Sequence, residues 1–74
     1  MVEYHIYVAR SNCYEVKKKV NLGDFAKVMC HEDDTSFIRS GTVISLNHQG
    51  IEIHHSLGVH TAQWCNVTEI IKEL

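Results

Sequence analysis

The stretch Phe37–Trp64, FIRSGTVISLNHQGIEIHHSLGVHTAQW, decides the fold, because short apolar runs alternate in it with turn signals. The runs lie at 37–46, 51–55 and 59–64. Between them, Asn47–Gly50 and Ser56–Gly58 carry glycines that accept the backbone conformations of tight turns. Short strands separated by turns in this way are typical of an antiparallel, all-β domain. Gly41, inside the first run, indicates a bulge or a sharp bend.

The same pattern continues on both sides of this stretch. Ala26, Val28 and Cys30 alternate with their neighbours and predict another strand. That strand is followed by the polar, acidic segment His31–Ser36 (HEDDTS), which we predict to be a loop. At the C-terminus, Val67–Leu74 is compatible with a closing strand or with a terminal helical turn.

The N-terminal residues show an alternation of their own. Residues 2–8 place Tyr7 on the side opposite to the apolar residues, which predicts a strand with an exposed Tyr7. Residues 14–20 alternate as well, after a turn signal at Ser11–Asn12, so we predict an N-terminal β-hairpin over residues 1–20. The alternative is a short helix over Cys13–Val20, because Glu15 and Lys19 have the spacing of a helical ion pair.

Length and composition limit the class of protein. With 74 residues, 45% of them hydrophobic and 22% charged, the chain is predicted to fold as a single domain over residues 1–74. A chain of this size buries only about 60% of its unfolded surface, which argues against the deep, water-excluding pocket of an enzyme. The segment MVEYHIYVAR carries no secretory signal and no apolar stretch is long enough to span a membrane, so we expect a cytoplasmic protein without a membrane partner.

The sequence contains no recognisable catalytic set. Cys13, Cys30 and Cys65 are widely separated and odd in number, which predicts three reduced thiols. Cys30–His31 is the one nominal thiol–base pair, but adjacent residues of a strand point to opposite faces. A phosphate-binding glycine loop and the H-E-x-x-H metal motif are both absent from the sequence. We therefore predict that the protein is not an enzyme.

Histidine is frequent, with six in 74 residues, so metal binding needs a test. The weak candidate ligands are His54, His55 and His60. A strand over 53–55 that pairs with one over 59–61 would place His54 or His55 on the same side as His60, and Cys30, His31 or Cys65 would add a further ligand. None of the familiar zinc spacings occurs, so we expect solvent-facing strand residues and no cofactor. Because the reference pKa of histidine is about 6.5, six histidines predict a surface charge that depends on pH.

Four segments of the chain resemble a known family. They are Gly23–Val28 (GDFAKV), Ser40–Leu46 (SGTVISL), Gly50–Ile53 (GIEI) and Ala62–Val67 (AQWCNV). Their order over residues 22–70 resembles that of small SH3-like barrels of the KOW or Tudor kind. The resemblance implies a barrel of about five strands over 22–74, with residues 1–20 as a hairpin extension. It implies a topology and leaves the activity open, because one fold serves many functions.

We expect a non-enzymatic protein–protein interaction module that docks on a larger protein. Inhibitors, activators and adaptors of this size are typical of bacteria and phages. Exposed aromatic residues beside lysines are common in binding hot spots, and exposed acidic loops also contact partners. The predicted partner-binding residues are Tyr7, Lys17, Lys19, Phe25, Glu32, Asp33 and Asp34. An unpaired edge strand would also allow a homodimer by strand addition.

The alternative function is nucleic-acid binding by a KOW-type barrel. The basic residues available for phosphate contacts are Lys17, Lys18, Lys19, Lys27 and Arg39. Tyr7 or Phe25 would then stack on bases. A net charge of −2 argues against this alternative, because such binding depends on several phosphate contacts at once. The run Lys17–Lys19 is also typical of a charged edge strand that prevents aggregation.

Overall fold

Antiparallel strands account for most of residues 2–73, the part of the chain that the computed structural model describes. The elements are β1 (Glu3–Tyr7), α1 (Cys13–Lys17), β2 (Phe25–Glu32), β3 (Thr35–Leu46), β4 (Gly50–His55), β5 (Gly58–Gln63), a 3₁₀ turn (Trp64–Asn66) and β6 (Val67–Glu73). The predicted all-β fold is confirmed. Of the two alternatives for the C-terminal segment, the strand is correct.

The strands form one sheet in the order β1-β6-β2-β3-β4-β5. Strands β2 to β5 follow one another as a meander, while β6 returns to pair with β2. The sheet curls until β5 approaches β2, where the Cys30 thiol and the His60 ring lie 3.2 Å apart. Side chains meet across this gap in place of a backbone ladder, so within residues 2–73 the sheet is not closed. The predicted barrel of about five strands over residues 22–74 is therefore wrong in its closure, because β5 and β2 share no backbone hydrogen bonds.

The predicted N-terminal hairpin is wrong. Strand β1 pairs with β6 over its whole length, from Glu3 opposite Glu73 to Tyr7 opposite Glu69. The helix proposed as the alternative for Cys13–Val20 is observed over Cys13–Lys17. The reason is visible in the burial: Cys13 and Val16, three residues apart on one face of α1, are both buried, and Val20 is buried after the helix ends.

The predicted acidic loop over His31–Ser36 is also wrong in extent. Strand β2 continues to Glu32 and β3 begins at Thr35, so that only Asp33 and Asp34 form the turn. Asp33 adopts a φ of 54°, a left-handed conformation that aspartate tolerates in tight turns. The backbone of this polar segment can pair as a ladder while its side chains stay in water at the exposed end of the hairpin.

The core lies on one side of the curled sheet and is closed by α1 and the 3₁₀ turn. Its largest fully buried side chains are Val28, Val43, Ile51, Ile53, Val67 and Ile70. The buried Trp64 donates its indole N–H to the Asn47 carbonyl at 2.9 Å. A Cβ on Gly41 would lie 2.3 Å from the His54 carbonyl oxygen, so Gly41 allows β3 and β4 to approach. The register shift of β3 against β4 falls beyond it, between Val43 and Ser45.

In the part of the chain that the structure covers, no helix combines the length and the apolar character needed to cross a membrane.

Candidate functional site

The two faces of the sheet have different compositions. We call the face that carries Ala26, Val28 and Ile53 the inner face, because these residues form the core. The opposite, outer face is defined by the cross-strand pairs that alternate with them. The outer-face residues used below are Glu3, His5, Tyr7, Phe25, Lys27, Ile38, Thr42, His54, Val59, Glu69, Ile71 and Glu73.

The outer face exposes apolar side chains. Phe25, Ile38 and Val59 are 41%, 49% and 54% exposed, respectively, and Ile71 beside Phe25 is half-buried. An antiparallel sheet with one face on the core normally has a polar outer face. Exposed apolar residues in that position are therefore candidates for contacts with another molecule.

A groove of about 580 Å³ runs along this face beside Phe25. Ile71 and Thr42 form its floor on either side of the Phe25 ring, since both are cross-strand partners of Phe25. Leu22, 64% exposed, stands at its border in the segment before β2. We call this site the Phe25 groove, and its remaining lining residues are Glu3, Gly23, Asp24 and Glu73.

The Phe25 groove is acidic at one end. Glu3 and Glu73 are directly opposite each other on β1 and β6, and both are exposed. Glu3 also lies 3.3 Å from the His5 ring. Asp24 is different, because its carboxylate is bound by the Lys72 ammonium at 2.7 Å and both side chains are largely buried. Two like charges facing each other across a ladder destabilise it unless a cation approaches them.

Next to the groove, Glu69 is a buried acid on the outer face. It accepts a hydrogen bond from the His5 Nδ1 and lies 3.6 Å from the Lys27 ammonium. The hydrogen bond to Glu69 raises the pKa of His5 above its usual value, and the same bond lowers the pKa of Glu69. Tyr7 stacks on the His5 ring, with 6.4 Å between the ring centroids, and covers this network.

Two of the predicted partner-binding residues, Tyr7 and Phe25, share the outer face. Tyr7 is 70% exposed on the same outer face as Phe25, as the alternation of residues 2–8 predicted. The network of His5 and Glu69 beside them was not predicted. Its one sequence signal is the polar side of the first strand. That signal does not indicate Glu69 as a partner until the pairing of β1 with β6 is known.

The other predicted partner-binding residues lie elsewhere. Lys17 belongs to α1 and donates to the His48 carbonyl at 3.5 Å, while Lys19 follows the helix and is exposed. The acidic turn residues Glu32, Asp33 and Asp34 are exposed at the opposite end of β3 from His48. The lysines and the acidic turn are therefore not parts of one surface with Phe25.

The basic residues of the nucleic-acid alternative are dispersed as well. Lys17, Lys18 and Lys19 accompany α1, and Lys27 lies near Glu69 on the outer face. Arg39 is on the inner face, with its guanidinium 5.0 Å from the centre of the Phe37 ring. Phosphates of a bound strand would have to reach three separate surfaces to meet all of these cations.

A second cleft, of about 440 Å³, opens where β5 approaches β2. Here the Cys30 Sγ and the His60 Nε2 are 3.2 Å apart. His55 lies in the same cleft, and burial lowers its pKa, with the Arg39 charge acting in the same direction. Its Nδ1 accepts hydrogen bonds from the Leu57 N–H at 3.1 Å and from Arg39 at 3.5 Å, which requires the neutral ring. We call this site the thiol cleft.

The candidate metal ligands divide between the faces. His55 and His60 are on the inner face, as one of the two predicted pairings required, whereas His54 is on the outer face. Cys30 joins His60, but Cys65 is exposed within the 3₁₀ turn, where its thiol donates to the Gln63 Oε1 at 3.7 Å. Among residues 2–73, no three histidine, cysteine or acidic side chains are grouped to hold a metal ion.

Comparison with known proteins adds no relative: no protein-family model matches the sequence, and neither the curated proteins nor the solved structures contain a significant match.

Proposed function

We propose that this chain is a non-enzymatic binding module that docks on a larger protein through the Phe25 groove. The observation that carries the proposal is the exposed Phe25 ring in a groove whose end bears two acidic cross-strand partners, Glu3 and Glu73. Its partner is a protein segment in which a lysine or an arginine follows closely on an apolar side chain.

The apolar part of the groove supplies the affinity in this proposal. Phe25 and Leu22 expose 41% and 64% of their surfaces. Ile71 adds a further apolar contact, because it lies on β6 between Phe25 and strand β1. Burial of an aromatic side chain in the centre of an interface commonly contributes more than 1 kcal/mol to binding. An aliphatic or aromatic side chain of the partner would remove all three residues from water together.

The acidic end supplies the selectivity. Glu3 and Glu73 are direct cross-strand partners, a position where two like charges repel each other, and His5 lies near Glu3 alone. A partner cation between them removes this repulsion and gains a charge-assisted hydrogen bond. An acidic partner segment is disfavoured at the same place, so charge complementarity selects the partner.

The proposal includes a relationship to the SH3-like barrels and a regulatory role. The relationship is supported by the positions of the four matching segments, which fall on β2, β3, β4 and the β5–β6 connection of one continuous sheet. We also propose a cytoplasmic location. It is supported by three free cysteines, of which Cys13 and Cys30 are buried.

A site-specific crosslink identifies the partner. We would replace Phe25 by the photoreactive residue p-benzoylphenylalanine and irradiate cells of the source organism. The expected adduct joins the groove to a larger protein at a peptide that contains lysine or arginine. The matched control carries the same residue at Leu57, which is 80% exposed in the β4–β5 turn, and should not form that adduct. An adduct with nucleic acid, or with a second copy of the chain alone, would contradict the proposal.

Calorimetry with the purified partner then tests the groove itself. Phe25→Ser and Leu22→Ser should each weaken binding about tenfold, and Leu57→Ser should leave the affinity unchanged. The double variant Glu3→Gln/Glu73→Gln should abolish most of the salt dependence of binding. Equal affinities for the native chain, Phe25→Ser and Leu22→Ser would refute the role of the groove, provided that the circular dichroism spectra agree.

A further inference from the structure

The thiol cleft combines a nucleophile with a base, independently of the proposed docking groove. The Cys30 Sγ lies 3.2 Å from the His60 Nε2, within the distance at which an imidazole accepts a thiol proton. The two residues come from β2 and β5, which are not neighbours in the sheet. Only the curl of the sheet places them in contact.

A cationic side chain lines the same cleft as the pair. Arg39 lines the same cleft and lies over Phe37, the cross-strand partner of Cys30. Proton transfer from Cys30 to His60 adds a second positive charge beside the thiolate. A thiolate, unlike a thiol, is a strong nucleophile, and neighbouring cations stabilise it.

The cleft is open to solvent and has Cys30 in its wall. It has a volume of about 440 Å³, and Cys30 forms part of its lining although only 3% of the residue is exposed. The groups that titrate or carry charge around the sulfur come from four strands. They are His31 and Glu32 on β2, Arg39 on β3, His55 on β4 and His60 on β5. The hydrogen bonds of His55 require its neutral form, so Arg39 is the permanent cation that faces an incoming ligand.

We propose that Cys30 and His60 form a reactive thiol–imidazole pair, and that Cys30 is a covalent modification site for small electrophiles that carry a carboxylate. The thiol proton moves to the His60 Nε2, and the sulfur attacks the electrophilic atom of the ligand. With iodoacetate, an S–C bond forms as the C–I bond breaks, and iodide leaves with the bonding electron pair. Arg39 binds the carboxylate of the reagent.

The chain provides its own reference thiols for the test. Cys65 is exposed, and Cys13 is buried with its thiol donating to the Arg10 carbonyl at 3.4 Å. We would treat the intact, folded chain with iodoacetate or with the neutral iodoacetamide, quench in acid and measure the alkylation rate of each cysteine by peptide mass spectrometry. Reaction is compared at about pH 6 and about pH 9, on either side of the ordinary thiol range.

Three results are expected. The Cys30-to-Cys65 rate ratio is larger at the lower pH, because His60 takes the proton. The preference for iodoacetate over iodoacetamide is greater at Cys30 than at Cys65. His60→Gln lowers the Cys30 rate about tenfold near pH 7 without changing the Cys65 rate, whereas His54→Gln, on the outer face, changes neither.

A further variant separates the two parts of the proposal. Arg39→Gln should reduce the preference of Cys30 for iodoacetate and largely retain its reaction with iodoacetamide. Two outcomes would overturn the proposal: a Cys30 rate in the native chain no higher than that of buried Cys13, or a Cys30-to-Cys65 ratio that is the same at both pH values. Both are measured without any substitution, so they hold even if a variant fails to fold.

Discussion

The His5 ring donates a hydrogen bond from Nδ1 to the Glu69 carboxylate, across 64 positions of the sequence. This contact joins β1 to β6 on the outer face, one ladder step from the Phe25 groove. Strand β1 has β6 as its one neighbour in the sheet, so its position depends on this pairing more than that of any central strand. The protonation of a single histidine therefore affects how firmly one wall of the groove is attached.

The first prediction concerns pH. The pKa of His5 is raised from 6.5, so its contribution to stability is complete below pH 6.5 and is lost as the pH rises through the value in the folded protein. The pKa of Glu69 is lowered from 4.5, so its contribution is complete above pH 4.5 and is lost as the pH falls through its folded value. The pair stabilises most between pH 4.5 and 6.5.

Thermal unfolding measured between about pH 5 and about pH 8 checks this expectation. As the pH rises across this range, the melting temperature of the native chain should fall further than that of His5→Gln. The reason is that glutamine still donates a hydrogen bond but carries no charge that can be lost. His31→Gln is the control, since His31 bonds the exposed Ser36 at 2.9 Å in the hairpin turn region. Identical pH profiles for His5→Gln and the native chain would show that the pair does not act in this way.

The second prediction concerns the close approach of β3 and β4. A methyl group at Gly41 would lie 2.3 Å from the His54 carbonyl oxygen, and neither backbone can move without breaking the ladder. Gly41→Ala should therefore lower the free energy of unfolding by about 3 kcal/mol, the upper range for overpacking. Urea denaturation measures the loss. Ser40→Ala, at the exposed neighbouring position, should stay within about 0.5 kcal/mol of the native chain, and an equal effect of both variants would contradict the explanation.

The third prediction distinguishes the helix from the hairpin that was expected. In a strand, Tyr14 and Val16 would share one face, whereas in α1 Val16 is 3% exposed and Tyr14 is 77% exposed. Val16→Ala should cost about 2 kcal/mol of unfolding free energy, from the lost methyl groups and the cavity they leave. Tyr14→Ala should cost less than about 0.5 kcal/mol. Chemical denaturation of both variants measures the contrast, and similar losses would favour a strand.

The fourth prediction concerns Trp64. Its indole N–H bonds the Asn47 carbonyl at 2.9 Å and so ties the 3₁₀ turn to the β3–β4 turn. Trp64→Phe keeps most of the apolar volume and removes the donor, so it should cost about 1 kcal/mol, the net contribution of a typical hydrogen bond whose acceptor, Asn47, is exposed to water. Amide hydrogen exchange should also accelerate in residues 47–50. Unchanged exchange there would show that the bond does not hold the turn.

Two errors of the sequence interpretation, the N-terminal hairpin and the acidic loop, share one cause. For residues 13–20, the polar residues between the apolar ones fit a period of two and a helical period equally well over so short a stretch. The helix is selected because its residues Cys13 and Val16 both reach the core beside the 3₁₀ turn. For the acidic segment, composition indicated a loop, but pairing with the opposite strand carries the ladder to Glu32 and Thr35. In both cases a contact with a distant segment overrides the local signal.

The sequence alone determined the all-β class, most strand positions, the two turns after β3 and β4, and the exposure of Tyr7 and Phe25. These features depend on alternation and on turn residues, which act over a few neighbouring positions. Tertiary structure alone decided that β1 pairs with β6, that Glu3 meets Glu73 in the Phe25 groove, and that Cys30 meets His60. These pairs lie far apart in the chain, and the curl and register that unite them result from packing of the whole core, which no local pattern encodes.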